Sequence, residues 1–245
     1  MSTLTNKTIL VTGAGNGIGH AVSKGYAAAG ATLVLLDKDV PAMERLYDEI
    51  LESGGPEPAI MPMDLVGASP DDYLQLADSI GENFGTLEGL LHNASFLPYL
   101  SRIDDYEIDI WFKVVQINLN AGFLLTHTCL PLLRAAPGAS LVFTTDAVAT
   151  IPRAYWGAYA AAKAGLEGFM RVMAEELENA NIRVNAVDPG PTATAFRKSI
   201  YPGEDASGLK APETLVPLYV DLMNPDSGIG HGKLVRFETD WDYGL

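Results

Sequence analysis

The sequence predicts an α/β protein in which one parallel sheet is covered by helices on both faces. Three observations indicate this fold class: short apolar runs alternate with longer amphipathic segments, glycines cluster after the first apolar run, and no linker, repeat or low-complexity tract divides the 245 residues. Strands that alternate with helices are typical of a doubly wound parallel sheet. One such sheet can include a chain of this length, so we expect a single domain over residues 1–245.

The expected strands are short apolar runs that separate the helical segments. The first, Thr-Ile-Leu-Val-Thr, has the composition of a buried strand and runs directly into glycines. The chain contains seven such runs, which predict a sheet of about seven strands, at residues 8–12, 32–36, 59–63, 87–92, 140–144, 182–187 and 233–237.

The expected helices show apolar residues at helical spacing and have recognisable ends. The first should span residues 17–29, because Gly30 stops it. The third should begin with a cap, a first-turn proline and an acid, at Ser69, Pro70 and Asp72. Two long helices are expected at residues 106–134 and 155–179. In the second helix, apolar side chains share one face at spacings of 3, 4, 7 and 8: Met43, Leu46, Tyr47, Ile50 and Leu51.

The composition limits the partners of the protein. Its formal net charge of -15 repels nucleic acid and anionic membranes, so we expect neither as a partner. No apolar run approaches the roughly 20 residues that a membrane helix needs. Cys129 is the single cysteine, which excludes an internal disulfide and a multi-cysteine metal site, and we expect no metal. Residues 1–7 lack the basic and apolar blocks of a secretion signal, and a reducing cytoplasm fits.

A glycine-rich segment connects the first strand to the first helix. It reads Thr-Gly-Ala-Gly-Asn-Gly-Ile-Gly over residues 12–19. Glycines allow the backbone to turn sharply and to approach a pyrophosphate, and the unpaired N–H groups of the following helix suit an anion. We therefore expect a dinucleotide site with the contacts Gly13, Asn16, Gly17, Ile18 and Gly19.

Two acidic positions follow the next strands. Asp37 ends the second strand, where a carboxylate can accept both ribose hydroxyls of NAD and would repel the 2′-phosphate of NADP. Lys38 could partly offset that repulsion, so NAD is favoured and NADP is the less favoured cofactor. Asp64 and Leu65, after the third strand, fit a position beside the adenine, although Asp64 could instead cap a turn or helix.

Tyr159 and Lys163 are four residues apart near the start of a helix, so both point to one face. An ammonium group beside a phenol favours the phenolate, which can then take the proton of an alcohol. The pair stands in register with the glycine segment and with Asn93-Ala94-Ser95, Asn118-Leu119 and Pro189-Gly190. With these motifs in this order, the chain resembles the short-chain dehydrogenase/reductase family over essentially its whole length.

The resemblance implies a single Rossmann-type domain and an NAD(P)-dependent oxidoreductase that interconverts a secondary alcohol and a ketone. Tyr159 would be the general acid/base, Lys163 would hold the nicotinamide ribose, and Asn118 would anchor a water in a proton relay. Asn93 would support the cofactor-binding edge of the sheet. After the sixth strand, the cofactor contacts would be Pro189, Gly190, Thr192 and Thr194. Relatives pair through the two long helices, so we expect a homodimer or homotetramer.

The chain departs from the family pattern at Asp146, where a serine is usual, and at Ser95, where glycine is usual. The glycine replacement is a small change. An ionised aspartate only accepts hydrogen bonds, and its charge should raise the pKa of Tyr159. Asp146 could be protonated and act as a donor, could bind a cationic substrate group, or could be a capping acid; a neighbouring hydroxyl could also replace the serine. Strand alternation leaves Thr144 and Thr145 poorly placed for that role.

Residues 189–217 carry four further prolines after their opening Pro-Gly and are expected to form a substrate lid, with a plain surface loop as the alternative. A small-molecule alcohol or carbonyl compound, medium-sized and rather apolar, is the expected substrate. An alternative is a sensor or scaffold that binds the dinucleotide with impaired catalysis, and another is a lyase or dehalogenase, against which the intact glycine segment and Lys163 argue. The expected apolar substrate wall, with Arg153 and Arg197 as nearby cations, is Phe96, Leu97, Pro98, Tyr99, Val148, Ile151, Pro152, Tyr155, Pro191 and Tyr201.

Overall fold

Seven parallel strands form one sheet in the computed structural model, which describes residues 3–237. The sheet has the order β3-β2-β1-β4-β5-β6-β7, so the chain winds outward from β1 in both directions. The predicted fold class is confirmed. The strands are β1 Thr8–Thr12, β2 Thr32–Asp37, β3 Ala59–Pro62, β4 Gly89–His92, β5 Ala139–Thr144, β6 Ile182–Asp188 and β7 Lys233–Arg236.

Eight α-helices accompany these strands within the described residues, and several short 3-10 turns connect them. None of the helices in residues 3–237 combines the length and the apolar character that crossing a bilayer requires. The helices are α1 Gly17–Ala28, α2 Val40–Glu52, α3 Pro70–Phe84, α4 Ile108–Val115, α5 Ala121–Ala135, α6 Gly157–Glu176, α7 Ala195–Ile200 and α8 Val216–Met223.

The core lies in two layers, one on each face of the sheet, because successive side chains of a strand point to opposite faces. Leu10 and Phe143 face the layer that α3, α5 and α6 cover. Ile9 and Val142 face the layer that α1, α2 and α8 cover. Strands that are buried on both faces explain the continuous apolar runs in the sequence.

The long helix expected at residues 106–134 is divided in the structure. A π-helical turn, Gln116–Asn120, separates α4 from α5, and Pro131 lies inside α5. A single π turn is often found at functional sites, and hydrophobic spacing alone does not reveal it. The other long helix begins at Gly157, after Tyr155 adopts a positive φ of 76°.

The expected lid at residues 189–217 contains the short helix α7, and α8 begins at its end. Neither helix was expected from the sequence, where the prolines of this region indicated a loop. Pro217 lies in the first turn of α8, where a proline removes no helical hydrogen bond. Thr194 caps α7 by accepting a hydrogen bond from the N–H of Arg197 at 3.1 Å.

Candidate active site

One cavity, called the main cavity because most of the expected site residues line it, lies at the carboxyl ends of the central strands. It surrounds the point where β1 has β2 on one side and β4 on the other. Open α/β sheets bind ligands at such switch points. The cavity has a volume of about 250 Å³. The expected site residues that line it are Gly13, Asn16, Gly17, Ile18, Asp37, Asn93, Asp146, Tyr159, Lys163, Pro189, Gly190, Thr192 and Thr194.

The loop between β1 and α1 has no room for a side chain at Gly13 or Gly19. Gly13 and Gly17 have positive φ angles of 66° and 56°. A Cβ on Gly13 would approach the Cα of Ala94 to 2.8 Å, and one on Gly19 would collide with the carbonyl oxygen of Gly13. Asn16 precedes α1 without making a side-chain capping bond to it. This bare loop and the first turn of α1 fit the pyrophosphate of a dinucleotide.

Asp37 faces the cavity from the end of β2. Its Oδ2 accepts a hydrogen bond from the N–H of Gly15 at 3.0 Å, and its Oδ1 accepts one from the N–H of Asp39 at 3.1 Å. The following Lys38 is exposed. Asp37 is therefore fixed against the glycine loop and presents a carboxylate to that end of the cavity.

Asn93 connects the ends of β1 and β4. Its Nδ2 donates to the carbonyl oxygens of Thr12 at 3.3 Å and Gly13 at 3.4 Å. The hydroxyl of Thr12 accepts hydrogen bonds from the N–H groups of Asn93 at 2.9 Å and Ala94 at 3.0 Å. These bonds hold the glycine loop against the strand that supplies the opposite side of the cavity.

The segment after β6 closes the cavity above the glycine loop. The N–H of Gly190 donates to Oδ1 of Asp188 at 3.0 Å, and the hydroxyl of Thr192 donates to the carbonyl of Gly190 at 3.0 Å. A Cβ on Gly17 would lie 3.3 Å from Cγ2 of Thr194. Thr194 thus packs directly over the loop at the start of α7.

Lys163 is buried in α6 and lines the cavity. Its Nζ donates to the carbonyl oxygen of Thr144 at 2.9 Å and lies 5.4 Å from the ring centre of Tyr159. Burial lowers the pKa of Lys163 to about 8, against the opposing effect of the nearby carboxylates of Asp146, Asp188 and Glu167.

Tyr159 lies one turn before Lys163, and only 3% of its surface is exposed. Burial raises the pKa of its phenol well above the usual value, and the negative charge of Asp146 raises this pKa further. The protein alone therefore holds Tyr159 as a neutral phenol.

Asp146 follows β5 and forms part of the cavity wall. Its Oδ1 accepts a hydrogen bond from the N–H of Val148 at 3.0 Å, which starts the 3-10 turn Ala147–Ala149. Burial raises the pKa of this carboxyl, while the bond from Val148 lowers it. Asp146 thus caps a local turn and also faces the cavity.

Asn118 lies in the π turn and joins two parts of the site. Its Nδ2 donates to the carbonyls of Phe96 at 2.7 Å and Val114 at 2.8 Å. Its Oδ1 accepts from the hydroxyl of Ser95 at 2.8 Å, and that same hydroxyl lies 3.3 Å from the hydroxyl of Tyr159. From the sequence, the replacement of the usual glycine by Ser95 is only a small change, and Ser95 has no predicted role in the site.

A second cavity, of about 280 Å³, lies on the other side of Asp146. Its wall carries the charged groups Asp146, Asp188, Arg153, Arg197 and Glu204. Nε of Arg197 donates to Oε2 of Glu204 at 2.6 Å, so this ion pair spans the cavity edge. This part of the site is more polar than the sequence indicated.

The expected apolar wall is formed only in part by the anticipated residues. Of the expected set, Val148, Ile151 and Pro191 line the second cavity, and Tyr201 lines both cavities. Neither cavity is lined by the rest of the expected set: Phe96, Leu97, Pro98, Tyr99, Pro152 and Tyr155. Instead, α7 and the start of α6 supply apolar side chains to the main cavity: Trp156, Phe196 and Ile200.

Comparison with known proteins identifies the family. The model of the short chain dehydrogenase family matches residues 7–205. The chain belongs to this family. The protein is thus an oxidoreductase with a Rossmann-like fold that binds a nucleotide. Oxidoreductase YciK of Escherichia coli (strain K12) is 41% identical over 224 residues, which cover 91% of this chain and 88% of that protein. Cyclohexanol dehydrogenase of Acinetobacter sp. (strain SE19) is 32% identical over 233 residues, which cover 93% and 92%.

Solved structures of short chain dehydrogenases show the same fold. A protein from Shigella flexneri 2a complexed with NADP is 40% identical, with a TM-score of 0.92, over 96% of this chain and 98% of that one. A protein from Escherichia coli CFT073 complexed with NADPH has the same identity, TM-score and coverage. A nicotinamide dinucleotide is therefore the cofactor class of this short chain dehydrogenase.

Four expected site residues of this short chain dehydrogenase lie outside the lining of the main cavity: Gly19, Asp64, Leu65 and Asn118. Gly19 packs behind the loop, and Leu65 belongs to the core. Asp64 accepts a hydrogen bond from the N–H of Val66 at 3.0 Å, as a turn-capping acid does. Within residues 3–237, no three His, Cys, Asp or Glu side chains are grouped as metal ligands would be.

Proposed function

We propose that the protein interconverts a secondary alcohol and a ketone by hydride transfer, with Tyr159 as the general acid/base. The observation that supports this reaction is that Tyr159 and Lys163 share one cavity with the glycine loop and Asp37. A bound nicotinamide dinucleotide would accept the hydride of the alcohol or return it to the ketone. The protein must then hold the alcohol so that its hydroxyl proton and its carbinol hydride leave in different directions.

In this proposal, Tyr159 accepts and donates the proton of the alcohol. In the oxidation, its phenolate oxygen takes the hydroxyl proton while the carbinol C–H bond breaks, and in the reduction the phenol returns the proton to the carbonyl oxygen. Because burial and Asp146 raise the pKa of the phenol, ionisation needs positive charge beside the ring. The ammonium of Lys163, 5.4 Å from the ring centre, is the charge that the chain supplies.

Lys163 and Asn118 are proposed to complete the site. One donor of the Lys163 ammonium is engaged by Thr144, so its remaining donors can hold a ribose hydroxyl of the cofactor. Between Asn118 and Lys163 lies a small cavity of about 10 Å³. This is about the space of one water molecule, which suits the water that Asn118 is expected to anchor.

NAD is the proposed cofactor, because Asp37 presents a carboxylate to the cavity at the end of β2. The relatives complexed with NADP and NADPH favour the opposite preference. The ratio of kcat/KM for NAD to that for NADP decides between them, and we expect it to exceed about tenfold. Asp37→Asn keeps the shape of the side chain and removes its charge, so it should reduce this ratio. A wild-type preference for NADP would contradict the assignment.

A medium-sized, rather apolar secondary alcohol is the proposed substrate. Trp156, Phe196 and Ile200 line the main cavity, and cyclohexanol dehydrogenase is among the relatives. Phe196 and Ile200 belong to α7, so we propose that the segment at residues 189–217 acts as a lid over the substrate. A panel of cyclic and linear secondary alcohols, and of the matching ketones, tests this class by the change in NADH absorbance.

Loss of turnover is the second candidate, and the raised pKa of Tyr159 beside Asp146 is the observation that favours it. The relatives of this protein are oxidoreductases, which favours retained activity. Tight NAD binding, measured by calorimetry, together with inactivity over the whole panel would establish the second candidate. Turnover that Tyr159→Phe abolishes, while NAD binding is retained, would establish the first.

A further inference from the structure

The hydroxyl of Ser95 lies beside the phenol that is proposed to carry the proton. Its Oγ is 3.3 Å from the hydroxyl oxygen of Tyr159 and 2.8 Å from Oδ1 of Asn118. Ser95 also lines the main cavity. The side chain of Asn118 is held in place by the carbonyls of Phe96 and Val114. A small polar residue is thus fixed between a rigid acceptor and the reacting atom.

The other hydroxyls near the end of β5 have different partners. The hydroxyl of Thr144 pairs with the hydroxyl of Tyr219 at 3.1 Å, and that of Thr145 donates to Oε1 of Glu167 at 2.9 Å. Asp146 accepts a hydrogen bond from the N–H of Val148. An ionised carboxylate at position 146 has no proton to donate, so a donor to the phenolate must come from another residue.

We propose that Ser95 is a catalytic residue that donates a hydrogen bond to the phenolate oxygen of Tyr159 and thereby replaces the hydroxyl that is missing at position 146. This inference rests on the proposed acid/base role of Tyr159. The single proton of the Ser95 hydroxyl has two acceptors. It points to Tyr159 while the phenol is ionised, and to Asn118 once the phenol has taken the proton of the alcohol and can itself donate to Oγ of Ser95.

Charge balance explains why such a donor is useful here. The groups that act on the phenol are Asp146 after β5 and Asp188 at the end of β6, which both raise its pKa, and Ser95, which lowers it. The positive charges of Lys163 on α6 and Arg197 on α7 lower the pKa of Asp146. With two carboxylates near the phenol, a hydrogen bond to its charged form offsets part of their effect.

The test is a double-mutant cycle of Ser95→Ala and Asp146→Ser. The ionisation of Tyr159 is measured in the complex with NAD, as the difference in absorbance between each protein and the same protein carrying Tyr159→Phe. Alanine keeps the Cβ of Ser95 and removes only the hydroxyl. In the wild-type background, Ser95→Ala should raise the pKa of the phenol by about one unit, which corresponds to roughly tenfold less phenolate. In the Asp146→Ser background, Ser95→Ala should lower the fraction of phenolate by less than about threefold. The reason is that the hydroxyl introduced at position 146 would then donate to the phenolate.

Ser53→Ala is the matched control, since the exposed Ser53 donates to the carbonyl of Ile50 far from the cavity. It should leave the phenol unaffected. The proposal would be overturned if Ser95→Ala left the pKa of Tyr159 unchanged, or if it shifted this pKa equally in both backgrounds. This titration needs no substrate, so it tests the role of Ser95 even if no alcohol of the panel is oxidised. With an active alcohol, kcat should fall roughly tenfold in Ser95→Ala while KM for NAD stays constant.

Discussion

At the scale of single residues, the charge of Asp146 opposes the ionisation that the proposed role of Tyr159 requires. The phenol must lose a proton, yet burial and the neighbouring carboxylate both favour its neutral form. Burial raises the pKa of Asp146 as well, but the hydrogen bond from Val148 stabilises its ionised form. The pair therefore responds to any change that removes the charge at position 146.

Replacing Asp146 with serine should increase activity on uncharged alcohols. The substitution removes the charge that raises the pKa of Tyr159 and adds a donor, so kcat/KM at neutral pH should rise about tenfold for each unit by which that pKa falls. Asp146→Asn is the control that removes only the charge and should give part of the gain. A loss of activity in both variants would mean that Asp146 itself carries a catalytic function.

At the scale of elements, the close packing of β1, α1 and β4 determines the cofactor end of the site. The Cβ of alanine at position 19 would collide with the carbonyl of Gly13, to which Asn93 donates a hydrogen bond. Gly19→Ala should therefore displace the loop and weaken NAD binding at least about tenfold, as calorimetry would measure. Tight binding in this variant would contradict the assigned role of the loop.

Gly168→Ala provides the control for that substitution. Gly168 lies inside α6, and a Cβ there would meet no atom within 4 Å in the described structure. Alanine should stabilise the helix by about 0.5–1 kcal/mol and leave NAD binding unchanged. Thermal unfolding of both variants separates a general loss of stability from a specific loss of the loop.

The sequence predicted the strands and the glycine loop well, because burial on both faces gives continuous apolar runs and tight turns need glycine. It did not predict the π turn that contains Asn118, since hydrophobic spacing continues across it. It also missed α7, whose side chains line the cavity, because the surrounding prolines indicated a loop. Ser95 was visible in the sequence, but its bond to Tyr159 depends on where the segment after β4 lies relative to α6.

At the scale of the whole molecule, one buried histidine makes folding sensitive to acid. His92 ends β4, stacks on Phe143 with ring centres 4.7 Å apart, and pairs with the hydroxyl of Thr126. Burial, together with the charge of Lys163, lowers the pKa of His92 from 6.5 to about 3. Below pH 6.5 the unfolded chain therefore binds a proton that the folded chain does not bind, so stability is lost as the pH falls from 6.5 towards 3.

His92→Phe should remove this dependence while keeping an aromatic ring against Phe143. The free energy of unfolding of the wild type should fall relative to the variant by about 1.4 kcal/mol per pH unit below 6.5. Urea unfolding at pH values from 7 to 5 measures both curves. Parallel curves would show that His92 takes up its proton in the folded protein.

Self-association is the other property of the whole molecule that we expect. Phe112, Phe123 and Val172, on α4, α5 and α6, are 65%, 49% and 53% exposed in the single chain. Large apolar side chains that are exposed on the long helices fit the expected pairing of these helices between subunits. Light scattering at micromolar concentration should give a dimer or tetramer, and a monomer would refute the expectation.

Titration of Tyr159 in the wild-type complex with NAD tests the central claim most directly. The chain contains 10 tyrosines, so the absorbance change on ionisation must be measured as the difference from Tyr159→Phe. Because bound NAD places a positive nicotinamide ring near the phenol, we predict a pKa below the solution value of about 10. A phenol that still ionises above this value with NAD bound would contradict its role as the general base.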